Sequence, residues 1–361
     1  MAADPTFQQL LVDWYGHVAA DLPWRRDQDP YRVWLSEIML QQTQVETVIP
    51  YYERFLLTYP AITDLANAPL EHVLKQWEGL GYYSRARNLH QTAQIVAHDL
   101  GEHFPQTAEG LQQLPGIGRY TAGAIASIAY GERAPVVDGN VIRVFARLID
   151  LNEDVTQTAI QNSLWEMAES WLPQERVGDY NQALMELGRT VCKPRNPLCD
   201  QCPVQTFCQS YANGTQDERP VRAKKAPIPH YDVAAGLIWN EKGQLLIAQR
   251  PLDGLLGGLW EFPGGKRESG ETLEECLARE LREELAIEVS VGDLFVIVKH
   301  GFTHFKITLH AYNCDYVSGP PQSIGVRDWA WARPEQLDAY SFGKADREVV
   351  AAIQARDNML F

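Results

Sequence analysis

Residues 114–131, LPGIGRYTAGAIASIAYG, place one proline and two closely spaced glycines between two stretches with helical periodicity. Gly116 and Gly118 put backbone amides at the start of the second helix, where such amides can bind a phosphate without net positive charge. The same glycines are also compatible with a tight turn between packed helices. The stretch therefore predicts two helices joined by a hairpin, and its function depends on the motifs around it.

The segment that follows, APVVDGNVIRVFARL (residues 134–148), places Asp138 between a short apolar run and an amphipathic helix. Aspartate is a favoured residue at a helix N-cap, and Asn140 could share that role. From the local pattern, a capping role for Asp138 and a catalytic role both remain open.

Four of the six cysteines lie in CKPRNPLCDQCPVQTFC, residues 192–208, with the spacing C-x6-C-x2-C-x5-C. Such clustering in a reducing compartment indicates a metal site rather than disulfide bonds. The spacing alone is compatible with zinc and with an iron-sulfur cluster. The candidate ligands are Cys192, Cys199, Cys202 and Cys208.

The composition limits the classes of function. The chain of 361 residues is long enough for two or three domains, and its net charge of −15 excludes a simple basic DNA-coating protein. If it binds DNA, it must use backbone amides, helix termini and local arginines. No stretch has the roughly 20 apolar residues of a membrane span, and the first residues lack a secretory signal, so we expect a cytoplasmic protein without a membrane partner.

The pattern of apolar residues changes along the chain. Residues 1–212 have helical periodicity punctuated by prolines, residues 213–230 form a polar segment typical of an interdomain linker, and residues 231–361 contain short β-rich runs with one helix at about 271–285. The predicted fold is therefore multidomain, with an all-α domain followed by an α+β domain.

The hairpin, the aspartate segment and the four-cysteine loop occur in the order and spacing of the helix-hairpin-helix base-excision glycosylases, and the chain resembles that family. The resemblance implies that residues 192–208 hold a 4Fe-4S cluster. The resemblance also allows two branches of this family to be distinguished. The endonuclease III branch has a lysine in the hairpin that attacks the sugar, whereas this chain has Tyr120, which cannot form an imine.

Residues 22–55, LPWRRDQDPYRVWLSEIMLQQTQVETVIPYYERF, closely resemble the adenine DNA glycosylases of the MutY family. The resemblance implies that Glu37 protonates adenine at N7, that Asp138 stabilises the positive charge on the sugar, and that Tyr120 supports the site by hydrogen bonding. The apolar neighbours of Glu37 in the sequence favour a raised carboxyl pKa. An exposed helical glutamate and a non-enzymatic iron-sulfur module are the alternatives.

The resemblance also implies DNA contacts. The residues that match the adenine pocket are Trp24, Arg25 and Gln182. Those that match or accompany the residues entering the duplex are Gln42, Thr43 and Tyr82, and the candidate phosphate contacts are Arg85, Arg87, Gly116 and Gly118. Packing within the helices is the alternative for the aromatic and amide residues.

Residues 265–287, GKRESGETLEECLARELREELAI, follow the Nudix pattern except that Ala286 replaces its glycine. On a helix, Glu280, Glu283 and Glu284 share one face and could bind Mg²⁺. The family's second domain resembles a Nudix enzyme but recognises 8-oxoguanine, which here implicates Phe302, Thr303 and His304. We therefore expect a structural rather than hydrolytic acidic cluster, with a retained Mg²⁺-dependent hydrolase as the alternative.

Together these observations predict a monomeric, monofunctional glycosylase of base excision repair. Its predicted substrate is duplex DNA in which adenine is mispaired with 8-oxoguanine or guanine.

Overall fold

A computed structural model describes residues 4–19, 21–223 and 227–357 of the chain. These residues form two compact units. The first contains residues up to 67 together with 88–223, and the second contains residues 68–87 together with 227–357.

The residues up to 213 are helical. The helices are α1 (Pro5–Val18), α2 (Pro30–Leu40), α3 (Val45–Thr58), α4 (Ile62–Asn67), α5 (Leu70–Trp77), α6 (Ser84–Gln94), α7 (Ala108–Leu111), α8 (Arg119–Tyr130), α9 (Gly139–Leu148), α10 (Thr158–Ser170), α11 (Val177–Thr190) and α12 (Gln209–Asn213). Short helical turns at Pro23–Arg25, Cys199–Gln201 and Gln205–Phe207 and a wider turn at Ile95–Asp99 complete this part.

Helix α2 shows how the sequence determines these elements. Pro30 occupies the first turn, where its missing amide proton has no intrahelical role, and the Asp29 side chain caps the helix by accepting a hydrogen bond from the Arg32 amide at 3.0 Å. The residues from Val33 to Met39 are all buried. Such a helix must be surrounded by protein on most sides, which is why its one buried acid, Glu37, lies in the interior.

The core of the first unit forms around α9 and α11. Phe145 of α9 is fully buried and packs edge-on against Trp171, with ring centroids 5.5 Å apart. Burying a phenylalanine side chain contributes about 1.5–3 kcal/mol. These helices are therefore rigid supports for the polar residues at their ends.

The second unit is built on a mixed sheet. Its elements are β1 (His230–Trp239), β2 (Leu245–Gln249), β3 (Trp260–Glu261), β4 (Gly264–Lys266), α13 (Leu273–Leu285), β5 (Glu288–Gly301), β6 (Lys306–Ser318), β7 (Asp328–Ala332) and α14 (Lys344–Asp357), with a short helical turn at Pro334–Ala339. The strand order is β3-β2-β1-β6-β5, β4 also pairs with β1, and β7 also pairs with β2. The central pair β1 and β6 is parallel, and the other pairs are antiparallel.

Helices cover both faces of this sheet. The apolar residues of α13, including Leu277 and Leu281, pack on one face, and those of α14, including Val349 and Val350, pack on the other. The α+β prediction for this part of the chain is confirmed. The predicted helix at 271–285 begins at Leu273, because the Thr272 side chain and Glu275 form a reciprocal capping box.

The predicted boundaries differ from the compact units in two places. The predicted 1–212 domain is interrupted, because residues 68–87 pack with the C-terminal residues. The predicted 213–230 linker is also partly structured against the first unit. Arg219 forms an ion pair with Asp150 at 2.9 Å, and the Ala223 amide donates to Asp154 at 3.1 Å. Polar composition indicated a linker, but these side-chain contacts hold its first half.

No helix within residues 4–19, 21–223 and 227–357 has both the length and the apolar character needed to cross a membrane.

Candidate active site

Glu37 is a buried acid in the first unit. It is 6% exposed within α2, and its Oε2 accepts a hydrogen bond of 2.9 Å from the Tyr120 hydroxyl. The pKa of Glu37 is raised to about 7, mainly by burial. The Tyr120 hydrogen bond lowers it, the negative charge of Asp138 raises it, and Arg25 lowers it. A carboxyl group with this pKa can hold and release a proton near neutral pH.

Tyr120 lies on α8 and connects two helices. Its hydroxyl is 2.9 Å from Glu37 Oε2 and 3.1 Å from Met185 Sδ on α11. Burial and the neighbouring carboxylates raise the pKa of Tyr120 well above its usual value. The phenol is therefore a neutral hydrogen-bond donor that orients the Glu37 carboxyl.

Asp138 caps α9, so the capping role considered from the sequence is confirmed. Its Oδ1 accepts from the Asn140 and Val141 amides at 2.9 and 2.7 Å, and its Oδ2 accepts from Asn140 Nδ2 at 3.0 Å. Burial raises the pKa of Asp138, while these donors act in the opposite direction. The capping geometry also leaves the carboxylate in the electrostatic field of Glu37 and Tyr120. A structural cap and a functional anion are thus compatible at one residue.

Of the three residues that match the adenine pocket, one packs in the core and two form polar contacts. Trp24 is buried, with its ring 5.2 Å from that of Tyr52, so it packs within the helical core. Arg25 donates to Glu186 Oε2 at 3.3 Å, and Gln182 accepts from the Tyr15 hydroxyl at 3.1 Å.

Glu186 was not predicted as a site residue. It is 2% exposed and also accepts a hydrogen bond of 2.6 Å from Arg189. A signal was present in the sequence, because this acid falls between Leu184 and Leu187 on the buried side of α11. A charged residue on a buried, apolar helix face is normally paired with an opposite charge or takes part in function.

The hairpin has the backbone that its glycines predict. Gly116 has a φ of 75°, and a Cβ there would lie 2.7 Å from the Asn88 Cβ, so glycine is required for both conformation and space. Gly118 is the N-cap of α8, no side chain caps the helix there, and a Cβ would meet nothing within 4 Å. The first amides of α8 are therefore accessible to an anion.

The turn after α2 carries Gln42 and Thr43. Gln42 is exposed and has a φ of 59°, a strained conformation for a residue with a side chain. The neighbouring Gln41 holds the turn by donating to Thr121 Oγ1 of α8 at 3.1 Å. The turn is thereby fixed to the helix that also carries Tyr120.

The four predicted cysteine ligands line one cavity. Within the described parts of the chain, no three Cys, His, Asp or Glu side chains are grouped as ligands of a single ion. Four thiols that line one space can bind a single metal centre. Burial raises the pKa of Cys202 to about 12, so a thiolate there needs the positive charge that metal binding supplies.

Two buried arginines of α9 support the cysteine loop. Arg143 donates to the Cys192 carbonyl at 2.6 Å and to Asn140 Oδ1 at 2.8 Å. Arg147 donates to Cys192 Sγ at 3.2 Å and to the Lys193 carbonyl at 2.7 Å. Helix α9 therefore joins the Asp138 cap to the cysteine loop. The sequence shows these arginines as charged residues within the apolar run VIRVFARL.

In the second unit, residues 78–87 form a turn and the start of α6. Tyr82 has a φ of 49° and is 44% exposed. Arg85 is buried, donates to the Leu80 and Gly81 carbonyls, and lies over the Trp77 ring. Its guanidinium bonds within the turn, and the phosphate contact proposed for it stays a prediction. Arg87 is similarly engaged, donating to the Gly257 carbonyl at 2.7 Å.

The three residues predicted to recognise 8-oxoguanine lie in the hairpin between β5 and β6. The Phe302 ring stacks on Phe305, with centroids 4.6 Å apart, while Thr303 and His304 are exposed. The Thr303 hydroxyl is 2.7 Å from the Tyr82 hydroxyl. The structure thus joins two residues that were predicted separately as DNA contacts.

The acidic face of α13 is occupied by an arginine. Arg279 donates to Glu271 at 2.8 Å, to Glu280 at 3.0 Å and to Glu283 at 3.2 Å. Burial raises the pKa of Glu284 to about 7. No three acidic side chains of the described residues are grouped around a candidate cation position, and the Mg²⁺ set Glu280, Glu283 and Glu284 stays a prediction.

The comparisons with known proteins follow this division of the chain. Residues 35–170 match the HhH-GPD superfamily of base excision DNA repair proteins, residues 192–208 match the iron-sulfur binding domain of endonuclease III, and residues 234–352 match the NUDIX domain. The fold and its site thus define a DNA glycosylase of the base-excision class that acts on DNA and has an iron-sulfur binding loop and a Nudix-like second domain.

Individual relatives identify the family more closely. The adenine DNA glycosylase of Rattus norvegicus is 38% identical over 96% of this chain and 78% of its own length, and that of Homo sapiens is 37% identical over 97% and 74%. The chain belongs to the adenine DNA glycosylases of the MutY family. The structure of a thermostable thymine-DNA glycosylase, 30% identical, matches 57% of this chain and 95% of its own with a TM-score of 0.53.

Proposed function

We propose that this protein is a monofunctional glycosylase that removes adenine from duplex DNA where adenine is paired with 8-oxoguanine or guanine. The observation that carries the proposal is the Glu37–Tyr120 hydrogen bond beside Asp138. It combines an acid whose pKa is about 7 with a second carboxylate held by three donors. Two carboxyl groups in different environments can perform opposite tasks in one reaction.

The reaction begins after adenine leaves the base stack and enters the pocket. Glu37 donates its proton to adenine N7, which makes the base a better leaving group. The bond between the sugar C1′ and N9 then breaks, and its electrons leave with the base. Tyr120 keeps the Glu37 carboxyl aligned throughout, because its hydroxyl donates to Oε2.

Asp138 stabilises the positive charge that develops on the sugar. Its three hydrogen-bond donors fix the carboxylate at the N-terminus of α9, where the helix dipole also favours an anion. Water adds to C1′, and the resulting proton returns to a carboxylate of the site. The products are free adenine and an abasic site, with the strand intact, since a phenol stands where a lyase needs an amine.

Arg25 and Glu186 are suited to recognise the base. Arg25 Nη1 is buried and has no hydrogen-bond partner among the described residues, so it can donate to a ring nitrogen of adenine. Glu186 can accept from the exocyclic amine, which guanine and the pyrimidines do not present in the same way. Gln182 supplies a further amide about one turn before Glu186 on α11.

We propose that Cys192, Cys199, Cys202 and Cys208 bind a 4Fe-4S cluster. The four thiols around one cavity match one ligand for each of four irons. The cluster supplies a stable cross-link for the loop. Arg143 and Arg147 hold the same loop to α9, so the cluster also supports the helix that carries Asp138.

Residues 1–212 and 231–361 are proposed as a glycosylase domain and a domain that recognises 8-oxoguanine, acting as a monomer. Gly116 and Gly118 donate backbone amides to DNA phosphates. Beside the lesion, the duplex is entered by Gln42, Thr43 and Tyr82. Phe302, Thr303 and His304 then contact the oxidised base. The exposed Thr303 and His304 and the strained φ angles of Gln42 and Tyr82 support these roles.

The test is single-turnover excision, followed by alkaline cleavage of the abasic site, with the full-length protein. The duplexes carry adenine opposite 8-oxoguanine, guanine or thymine, and a fourth carries thymine opposite guanine. We expect excision in the order 8-oxoguanine, then guanine, with the other two duplexes intact. His304→Ala should reduce the preference for 8-oxoguanine over guanine, with Lys242→Ala in the exposed β1–β2 turn as its control.

Point variants are preferable to a truncation at residue 213, because residues 68–87 pack with the C-terminal residues. Excision of thymine from the fourth duplex without excision of adenine would reject the proposed substrate. Trapping of a covalent complex by borohydride would reject the monofunctional mechanism.

A further inference from the structure

Glu78 accepts hydrogen bonds from several parts of the second unit. Its Oε1 accepts from Arg347 Nε at 3.0 Å and from the Phe342 amide at 3.1 Å, and Arg347 Nη2 makes a second short contact to it. Its Oε2 accepts from Lys75 at 2.7 Å. Both partners of the Glu78–Arg347 pair are largely buried, at 21% and 26% side-chain exposure. One carboxylate therefore joins the end of α5 to the start of α14.

Arg347 is held independently of Glu78. Its Nη2 also donates to the Tyr340 carbonyl at 2.7 Å, its Nη1 donates to Asp338 at 3.0 Å, and its guanidinium lies 5.1 Å from the Phe342 ring centre. A guanidinium fixed in this way is preorganised for its carboxylate partner, so less side-chain entropy is lost in the pair.

The turn that follows Glu78 is strained and needs support. It contains Gly79 and Gly81 with φ angles of 101° and 71°, and Tyr82 at 49°. Trp77 Nε1 donates to the Gly81 carbonyl at 3.1 Å, and Arg85 donates to the same carbonyl at 3.0 Å. A residue such as Tyr82 stays in this conformation only when its surroundings enforce it.

We propose that Arg347 is a positioning residue for the Tyr82 turn. Through Glu78 it fixes the N-terminal end of the turn, while the Thr303 hydroxyl meets the Tyr82 hydroxyl at the other side. In this role Arg347 acts through Glu78 and the turn. The inference rests on the proposed function, because it assigns a consequence to the entry of Tyr82 into the duplex.

The test is a double-mutant cycle in the full-length protein. Arg347→Gln and Glu78→Gln each remove the ion pair, Tyr82→Ala removes the side chain that the turn presents, and Arg347→Gln/Tyr82→Ala combines the two changes. Arg356→Gln is the matched control, because Arg356 is an exposed arginine of the same helix. Thermal unfolding of every variant verifies that it is folded, and Glu78→Gln replaces Arg347→Gln if the latter does not fold.

Two quantities are measured. The first is the single-turnover rate of adenine excision opposite 8-oxoguanine. The second is the change in fluorescence of a 2-aminopurine placed beside the 8-oxoguanine when the protein binds, which requires no excision. We expect Arg347→Gln to lower the rate about tenfold, as for loss of a hydrogen-bonded charge pair worth about 1.4 kcal/mol. It should also reduce the fluorescence change, and Arg356→Gln should alter neither.

The decisive result is the combined variant. If Arg347 acts through the turn, adding Arg347→Gln to Tyr82→Ala causes no further loss of rate. Independent, multiplying effects would overturn the inference, as would an Arg347→Gln protein with normal rate and normal fluorescence. Failure of the wild-type protein to excise adenine would instead reject the proposed function, and the fluorescence comparison would still decide the role of Arg347.

Discussion

Two carboxyl groups, one in each unit, have opposite surroundings. Glu37 in the first unit is buried beside a neutral phenol and another acid, and its pKa is raised to about 7. Glu271 in the second unit is bound by Arg279, which lowers its pKa to about 2. The first carboxyl can carry a proton at neutral pH, and the second is a permanent anion in an ion-pair network.

The difference shows that the number of acids does not identify the catalytic site. The second unit has the more conspicuous acidic motif in the sequence, but Arg279 engages Glu271, Glu280 and Glu283. In the first unit, Glu37 and Asp138 accept hydrogen bonds from neutral donors, and both act on the pKa of Tyr120. Chemistry is therefore expected where a buried carboxyl group also lies beside the other groups that the reaction needs, as Glu37 lies beside Tyr120 and Asp138.

The largest expected effect is the loss of the proton donor. Glu37→Gln keeps the size of the side chain and removes its acidity, so adenine excision should fall by about 10²–10⁴-fold, the range for general acid catalysis. Single-turnover excision opposite 8-oxoguanine measures it. The matched variant in the other unit is Glu283→Gln, which should excise adenine at the wild-type rate.

The same pair of variants examines the Nudix motif. We expect no Mg²⁺-dependent hydrolysis of nucleoside triphosphates by the wild-type protein. Hydrolysis that disappears in Glu283→Gln would show that the comparison is misleading and that the second unit retains a catalytic site.

The next effect is a pH dependence. Because Glu37 must be protonated to act, the excision rate should fall as pH rises through about 7, approaching a tenfold loss per pH unit. Asp138 must be ionised, so the rate should also fall at low pH, at a value above the usual aspartate pKa. A flat profile between pH 6 and pH 9, measured as single-turnover rate, would contradict the acid role.

Tyr120→Phe refines that profile. The Tyr120 hydroxyl stabilises the ionised form of Glu37, so its removal should raise the Glu37 pKa and move the alkaline limb to higher pH. The maximal rate should fall at the same time, because the carboxyl loses its alignment. A limb that moves to lower pH would mean that the phenol stabilises the protonated acid instead.

A smaller effect is expected in the acidic network of the second unit. Arg279→Met should destabilise that unit at pH 7, as measured by thermal unfolding, and leave adenine excision unchanged. Because the folded-state pKa of Glu271 is lowered to about 2, its contribution is present above the unfolded value of about 4.3 and is lost as pH falls towards 2. The difference in unfolding temperature between the wild-type protein and Arg279→Met should therefore shrink over that pH range. An undiminished difference at pH 2–3 would indicate that lost packing, not charge, is responsible.

The smallest effect is expected at the end of α13. Ala286 occupies the left-handed conformation with a φ of 55°, where the Nudix pattern has glycine. Ala286→Gly should raise the free energy of unfolding by up to about 1 kcal/mol. Denaturant unfolding measures the change, and an unchanged excision rate would show that this departure affects stability alone.

Several features followed from local patterns. The glycine hairpin, the cap at Asp138 and the helix beginning near Glu271 were predictable, because each depends on residues within one or two turns of chain. The strained end at Ala286 was predictable for the same reason. The four-cysteine loop was also recognisable, although its spacing alone did not distinguish zinc from iron and sulfur.

Other features depended on residues distant in the sequence. Trp24, which matched the adenine pocket, is buried against Tyr52 of another helix. The importance of Glu186 arises from Arg25, 161 positions away along the chain. The packing of residues 68–87 with the C-terminal residues depends on pairs such as Glu78 with Arg347, separated by 269 positions.

The sequence by itself determined the helices, the strands, the hairpin, the cysteine loop and the identity of the acids, because periodicity, capping and turn chemistry act over a few residues. Only the tertiary structure decided which acid can hold a proton at neutral pH and which stays ionised. Burial and the choice of neighbours separate Glu37, which can hold a proton at neutral pH, from Glu271, which Arg279 keeps ionised. The pKa of a carboxyl group depends on water and charge within a few ångströms, and the chain assembles those surroundings only when it folds.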